Sequence, residues 1–155
     1  MLIATDTNVL GYAEGGDDLR KSDIARLWLS GFEGDLILPS QVAGELYNVL
    51  TRKFRRSKSA AAARIRGWRE LSIFQTATPE DFDDALSLAS EHNFQIWDAL
   101  IVVTAASAGC RLLLSEDMQD GFVYRGVTVA NPFAETLHPL LASVLATLPD
   151  PGADK

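Results

Sequence analysis

The sequence predicts an α/β protein: a three-layer α/β/α sandwich on a central, mainly parallel sheet of about five strands. Three observations carry the prediction. Short apolar runs alternate with longer segments whose apolar residues recur at helical spacing. Each apolar run ends in polar or turn-forming residues. No linker, repeat or compositional break divides the chain, so residues 1–148 are expected to form one domain and 149–155 a frayed tail.

The first strand is Leu2 to Thr5, closed by Asp6-Thr7-Asn8, residue types that cap helices and make turns. A helix is expected from about Asp17 to Phe32, with Ile24, Leu27 and Trp28 on one face and Gly31 and Gly34 marking its end. Leu36-Ile37-Leu38 is the second strand. Pro39-Ser40 opens a helix whose Val42, Leu46, Val49 and Leu50 form an apolar stripe, and the basic segment continues it as a second helix through Trp68.

Ser72 to Thr76 is the third strand. Thr78-Pro79-Glu80-Asp81 is a strong helix start, with a hydroxyl cap, proline in the first turn and acids at the positive end of the macrodipole; this helix runs to about His92. Another spans Ile96 to Gly109. Arg111 to Leu114 is the fourth strand, followed by the turn Ser115-Glu116-Asp117. Val127 to Val129 is the fifth, and a terminal helix is expected from about Phe133 to Leu145.

Of the 155 residues, 47% are apolar and 23% charged, which suits a packed domain rather than a disordered chain. Cys110 is the only cysteine, and His92 and His138 are the only histidines, so a disulfide or a soft-ligand zinc site is not expected. A reducing cytosolic setting follows, and the apolar runs are too short for a membrane span of about 20 residues. The N-terminus already reads as a core strand rather than an export signal.

The net charge is −7, but its distribution is uneven. Arg52, Lys53, Arg55, Arg56 and Lys58, with Arg64, Arg66 and Arg69, lie in a stretch that holds no acid. A polyanion responds to this local field rather than to the total. The segment is either a solvated helix face or a surface for the phosphates of a nucleic acid.

Ligands of open α/β sheets bind beyond the carboxyl ends of the strands. Asp6 follows the first strand directly and Asp117 follows the fourth, so both face that end. Singly, each could serve as a helix cap. Asp98 lies near the angle of Val102 and Ala105 on its helix, where a charge needs a partner, a proton, a hydrogen bond or a metal, although the macrodipole alone can also favour it. Glu45 adjoins the stripe of Val42, Leu46 and Val49, and a salt bridge to a downstream arginine would satisfy it. Four carboxylates facing one sheet end repel one another unless cations intervene. An oxygen-only donor set favours Mg²⁺ or Mn²⁺ over Zn²⁺, the ions suited to phosphodiester hydrolysis.

The segments Asp6-Thr-Asn-Val-Leu, Ser40 to Leu50 around Glu45, Ile96-Trp-Asp-Ala-Leu-Ile and Leu113-Leu-Ser-Glu-Asp-Met-Gln-Asp-Gly resemble, in order and spacing, the motifs of PIN-domain ribonucleases. They are most similar to the VapC-type toxins of bacterial toxin–antitoxin pairs, and the likeness extends from about Met1 to Phe133. It implies a Mg²⁺- or Mn²⁺-dependent endoribonuclease with Asp6, Glu45, Asp98 and Asp117 as its acidic quartet, Asp6 and Asp98 being the firmest ligands. Asn8 and Ser115 match assisting polar positions, and Asp120 is a further acid of lower rank. It also implies a homodimer, an RNA substrate and a cognate antitoxin that places a basic side chain among the acids.

Other readings are a PIN-like scaffold that binds RNA or protein without cutting, and a haloacid-dehalogenase-type phosphotransferase. The latter needs a second Asp two positions after the first, where Asn8 stands. A receiver domain needs a Lys after the strand near Val129, where Asn131-Pro132 stands.

Overall fold

The computed structural model describes residues 1–148; the predicted tail, 149–155, lies outside the described residues. The sheet has six strands in the order β3-β2-β1-β4-β6-β5. They are β1 (Ile3–Thr5), β2 (Leu36–Pro39), β3 (Ile73–Gln75), β4 (Leu112–Leu114), β5 (Val123–Tyr124) and β6 (Val127–Ala130). All neighbours pair in parallel except β5 with β6. Strands β1, β2, β4 and β6 are wholly buried, which is why they read as unbroken apolar runs rather than alternating ones.

Among the described residues six α-helices lie between strands, α1 (Thr7–Ala13), α2 (Leu19–Gly31), α3 (Ser40–Asn48), α4 (Lys58–Glu70), α5 (Pro79–His92) and α6 (Ile96–Ser107), and α7 (Pro139–Leu145) follows the last strand. Helix α1 packs on α2 and α3, α3 packs on α4, and α5 packs on α6. The core includes Trp28, stacked on Phe32, the leucines of β4 and the middle of α6. Cys110 is buried within it, its thiol pushed up to about 12 by burial.

The structure adds to or moves the expected elements in four places. The sheet has a sixth strand, β5, an exposed two-residue edge joined to β6 through Arg125 and Gly126, both at positive φ (43° and 88°). Such a turn matches the twist of an antiparallel pair. A helix not expected from the sequence, α1, follows β1 directly, with Asp6 as its cap. The terminal helix begins at Pro139 rather than Phe133, because His138 precedes proline and is held extended, and the Phe133 amide donates to Asn131 Oδ1. Between α3 and α4 the chain widens into a π-type turn, Val49–Lys53, and then breaks at Phe54 to Ser57, where Arg55 takes φ 54°. The break comes where Arg56 turns back: its guanidinium donates to Glu14 Oε2 at 2.8 Å and to the Glu14 carbonyl at 2.7 Å.

Strand order reverses at β1, which has β2 on one side and β4 on the other. The crevice beyond the ends of β1 and β4 is the position such sheets offer a ligand.

Candidate active site

Asp6 leaves β1 at this crevice. Its amide donates to the Leu114 carbonyl at 2.8 Å, which ties it to the end of β4. Its side chain accepts from the Thr7 amide at 2.7 Å and from Ser115 Oγ at 3.1 Å, so both oxygens are fixed. Burial raises its pKa to about 6; the Thr7 and Ser115 donors pull the other way, and the charges of Asp98 and Glu45 add to the rise. Asp98, half-buried in the first turn of α6, is raised as well, by burial and then by Glu45 and Asp117. Chain-distant carboxylates thus sense one another across the crevice.

Glu45 stands on α3. Thr7 Oγ1 donates to its Oε2 at 2.6 Å and Gln41 Nε2 to its Oε1 at 2.6 Å. These are neutral donors, and among the described residues Glu45 has no arginine or lysine partner. Asn8 Nδ2 donates to Asp117 Oδ2, joining the start of α1 to the loop after β4. Ser115 is fully buried, and its Oγ accepts from the Met118 amide at 3.2 Å, which closes that loop on itself.

Beside Asp117, Glu116 turns the other way. Its Oε1 accepts from Lys21 Nζ at 2.5 Å, and Lys21 lies over the rings of Tyr12 and Phe133. Asp120 accepts from the Asn131 amide at 3.0 Å and so braces the loop against the chain after β6.

The structure therefore gathers Asp6, Glu45, Asp98 and Asp117 with Asn8 and Ser115, and gives Asp120 a backbone partner. The contacts of Thr7 and Gln41 with Glu45 and the Lys21–Glu116 pair are not foreseen from the sequence. Gln41 stands four residues before Glu45, a helical neighbour that could have been noticed. The other links join residues far apart in sequence and have no local signature. In the basic segment, Arg52, Lys53, Arg55 and Lys58 are exposed, whereas Arg56 is committed to Glu14. An apolar cavity of about 350 Å³ between α2 and α4 reaches the start of β2, at the other end of the strands from the acids.

The donor chemistry suits a hard cation. All four groups are carboxylates, and two have raised pKa values through burial and mutual repulsion, a penalty a cation would relieve. Among the described residues no three Asp, Glu, His or Cys side chains converge closely enough to cage an ion. That is compatible with Mg²⁺, which keeps several waters and takes one or two carboxylates together with substrate phosphate.

A small parallel α/β domain with acids at its switch point defines the class. The PIN domain model matches residues 3–120, and the chain belongs to the PIN domain family. No curated protein matches the chain. Among solved structures it is similar to Mycobacterium tuberculosis VapC20, a sarcin–ricin loop cleaving toxin, with 21% identity, TM-score 0.60, and 74% of this chain and 89% of that one covered. It is also similar to a chain of a toxin–antitoxin complex from Klebsiella pneumoniae (18% identity, TM-score 0.65, coverage 84% and 98%). A third is VapBC2 of Rickettsia felis, bound to a DNA fragment from its promoter (15% identity, TM-score 0.62, coverage 84% and 98%). These likenesses establish the fold. Among the described residues no helix is long and apolar enough to cross a membrane.

Proposed function

We propose that the chain is a Mg²⁺- or Mn²⁺-dependent endoribonuclease, the toxin of a VapBC-type toxin–antitoxin pair. The observation that carries this reading is the placement of Asp6 at the switch point of a PIN fold, tied to the end of β4 and to Ser115, with Glu45 held by Thr7 and Asp117 by Asn8 beside it. Asp6 and Asp98 would hold the ion, with Glu45 and Asp117 beside them. When bound, the ion activates water and offsets charge developing on a phosphoryl group.

The remaining work falls to side chains of this protein. The Thr7 amide and Ser115 hydroxyl fix the Asp6 carboxylate in one orientation. Thr7 and Gln41 hold Glu45, and Asn8 holds Asp117, so these acids meet the substrate in set positions. Asp98 accepts no hydrogen bond from the described residues, which leaves its oxygens to water and to the ion. Exposed Arg52, Lys53, Arg55 and Lys58 attract the RNA backbone.

The partners of this reading are RNA, a cognate antitoxin whose Arg or Lys would pair with the acids, and a second copy of the chain, in the cytosol. The solved relatives support the antitoxin, since one is a toxin–antitoxin complex. RNA cleavage by the purified protein with Mg²⁺ or Mn²⁺ tests the reading. Cleavage should stop in EDTA and in Asp6→Ala and Asp98→Ala. Equal cleavage by wild type and both variants would overturn the proposed site, and RNA binding without cleavage under any metal would make the chain a binding module.

A further inference from the structure

A cavity of about 370 Å³ opens beside the acids, between the exposed side of α1 and the π-type turn that follows α3. Thr7 and Asn8, the residues that hold Glu45 and Asp117, form its inner end. Gly11, Tyr12, Val49 and Phe54 supply apolar and aromatic wall, Lys53 supplies a cation, and Asp17 and Asp18 stand at the rim. Gly11 faces Val49 across the floor, where a Cβ would make an ordinary contact at 3.9 Å from Val49 Cγ1.

The two walls are locked together. Glu14, at the end of α1, has a side chain only 4% exposed and accepts from Arg56, Arg64 and Trp68 Nε1, all beyond the π-type turn. Arg55 holds a left-handed conformation that few non-glycine residues adopt, and this turns Arg56 back onto Glu14. Widened helical turns and stored backbone strain recur where a side chain must be aimed. Here they aim Lys53 and Phe54 into the cavity.

We propose that this cavity is a subsite for one unstacked nucleotide of the RNA strand, next to the phosphate presented to the acids. The inference rests on the ribonuclease reading and extends it to the form of substrate: a single-stranded segment, not a duplex. The base packs against the wall of Tyr12 and Phe54, and Lys53 takes its phosphate. The rim carboxylates Asp17 and Asp18 repel phosphate, so the strand runs along the Lys53 side. The volume lies at the lower end of the range for small-ligand pockets of about 300–1,000 Å³, room for one nucleotide and too little for a base pair. Aromatic wall with a flanking cation is the recognition chemistry of single strands.

The test is fluorescence anisotropy on the full chain in EDTA, so that binding is read without cleavage. It compares a mixed-sequence single-stranded RNA oligonucleotide with the same sequence as a duplex. The single strand should bind more tightly; Phe54→Ala should weaken it roughly tenfold and Phe54→Leu less. Lys53→Gln, an exposed change that leaves folding intact, should reduce the salt slope by about 0.7. Single-strand affinity unchanged in both Phe54→Ala and Lys53→Gln overturns the subsite, as does tighter binding of the duplex. Variants that alter only association with a protein partner would assign the cavity to that partner and also overturn it. Metal-dependent cleavage by wild type, measured in parallel, decides the ribonuclease reading separately. If cleavage persists, its preference at one position beside the cut bond should change in Phe54→Ala.

Discussion

Ser115 Oγ donates to Asp6 Oδ2 at 3.1 Å while accepting from the Met118 amide at 3.2 Å. One buried hydroxyl therefore couples the carboxylate that ends β1 to the loop that follows β4. Ser115→Ala removes the donor to a charged acceptor and leaves the Met118 amide without this partner. A loss of about 1–3 kcal/mol in stability is expected, read by denaturant unfolding. The Asp6 pKa should also rise beyond about 6, because one of the two groups that lower it is gone. An NMR titration of the Asp6 carboxyl carbon checks this.

The raised pKa of Asp6 sets a pH dependence with a definite sign. Between its unfolded value of 3.8 and about 6, the folded state binds more protons than the unfolded state. Stability therefore falls as pH rises through that window and is level on either side of it. Asp6→Asn keeps the shape and removes the charge, so at pH 7 it should stabilise the metal-free protein by up to about 3 kcal/mol. The gain should vanish near pH 4. Thermal unfolding of both proteins at the two pH values measures it, and an Asp6→Asn protein less stable at pH 7 would contradict the burial argument.

Glu14 works in the opposite sense. Burial alone would raise its pKa, but Arg56, Arg64 and Trp68 outweigh burial and hold it below the usual value. The stability it contributes is present above the ordinary Glu pKa and is lost as pH falls through the lowered one. Glu14→Ala should cost about 2 kcal/mol at pH 7, less than the 3–5 kcal/mol of a fully buried pair, because both arginines reach water. The difference from wild type should shrink in acid, as urea unfolding across pH will show.

The basic segment divides into two functions. Arg52→Gln and Lys58→Gln should each lower the salt slope of single-stranded RNA binding by about 0.7, with little change in melting temperature. Arg56→Gln should instead lower the melting temperature, since Arg56 is spent on Glu14. Equal effects from all three changes would mean that the Glu14 contact does not separate their roles.

The fold was legible wherever burial acts on a continuous run. Ile3 to Thr5, Leu36 to Leu38, Leu112 to Leu114 and Val127 to Val129 are buried on both faces, so composition alone marks them. Helix α1 escaped because seven residues, Gly11 among them, give too little periodicity. Strand β5 escaped because Val123 and Tyr124 are held by pairing with β6, not by burial. Asp6 and Asp98 were visible from their places after a strand and in a first helical turn. Thr7 with Glu45, and Lys21 with Glu116, meet across 38 and 95 residues of chain, and only packing brings them together.

Calorimetric titration of Mn²⁺ into the protein at pH 7.5 tests the gathering of the acids into one cation site. Saturable binding to wild type is expected, abolished or weakened at least tenfold in both Asp6→Asn and Asp98→Asn and retained in Asp120→Asn. Binding of equal strength to wild type, Asp6→Asn and Asp98→Asn would contradict it.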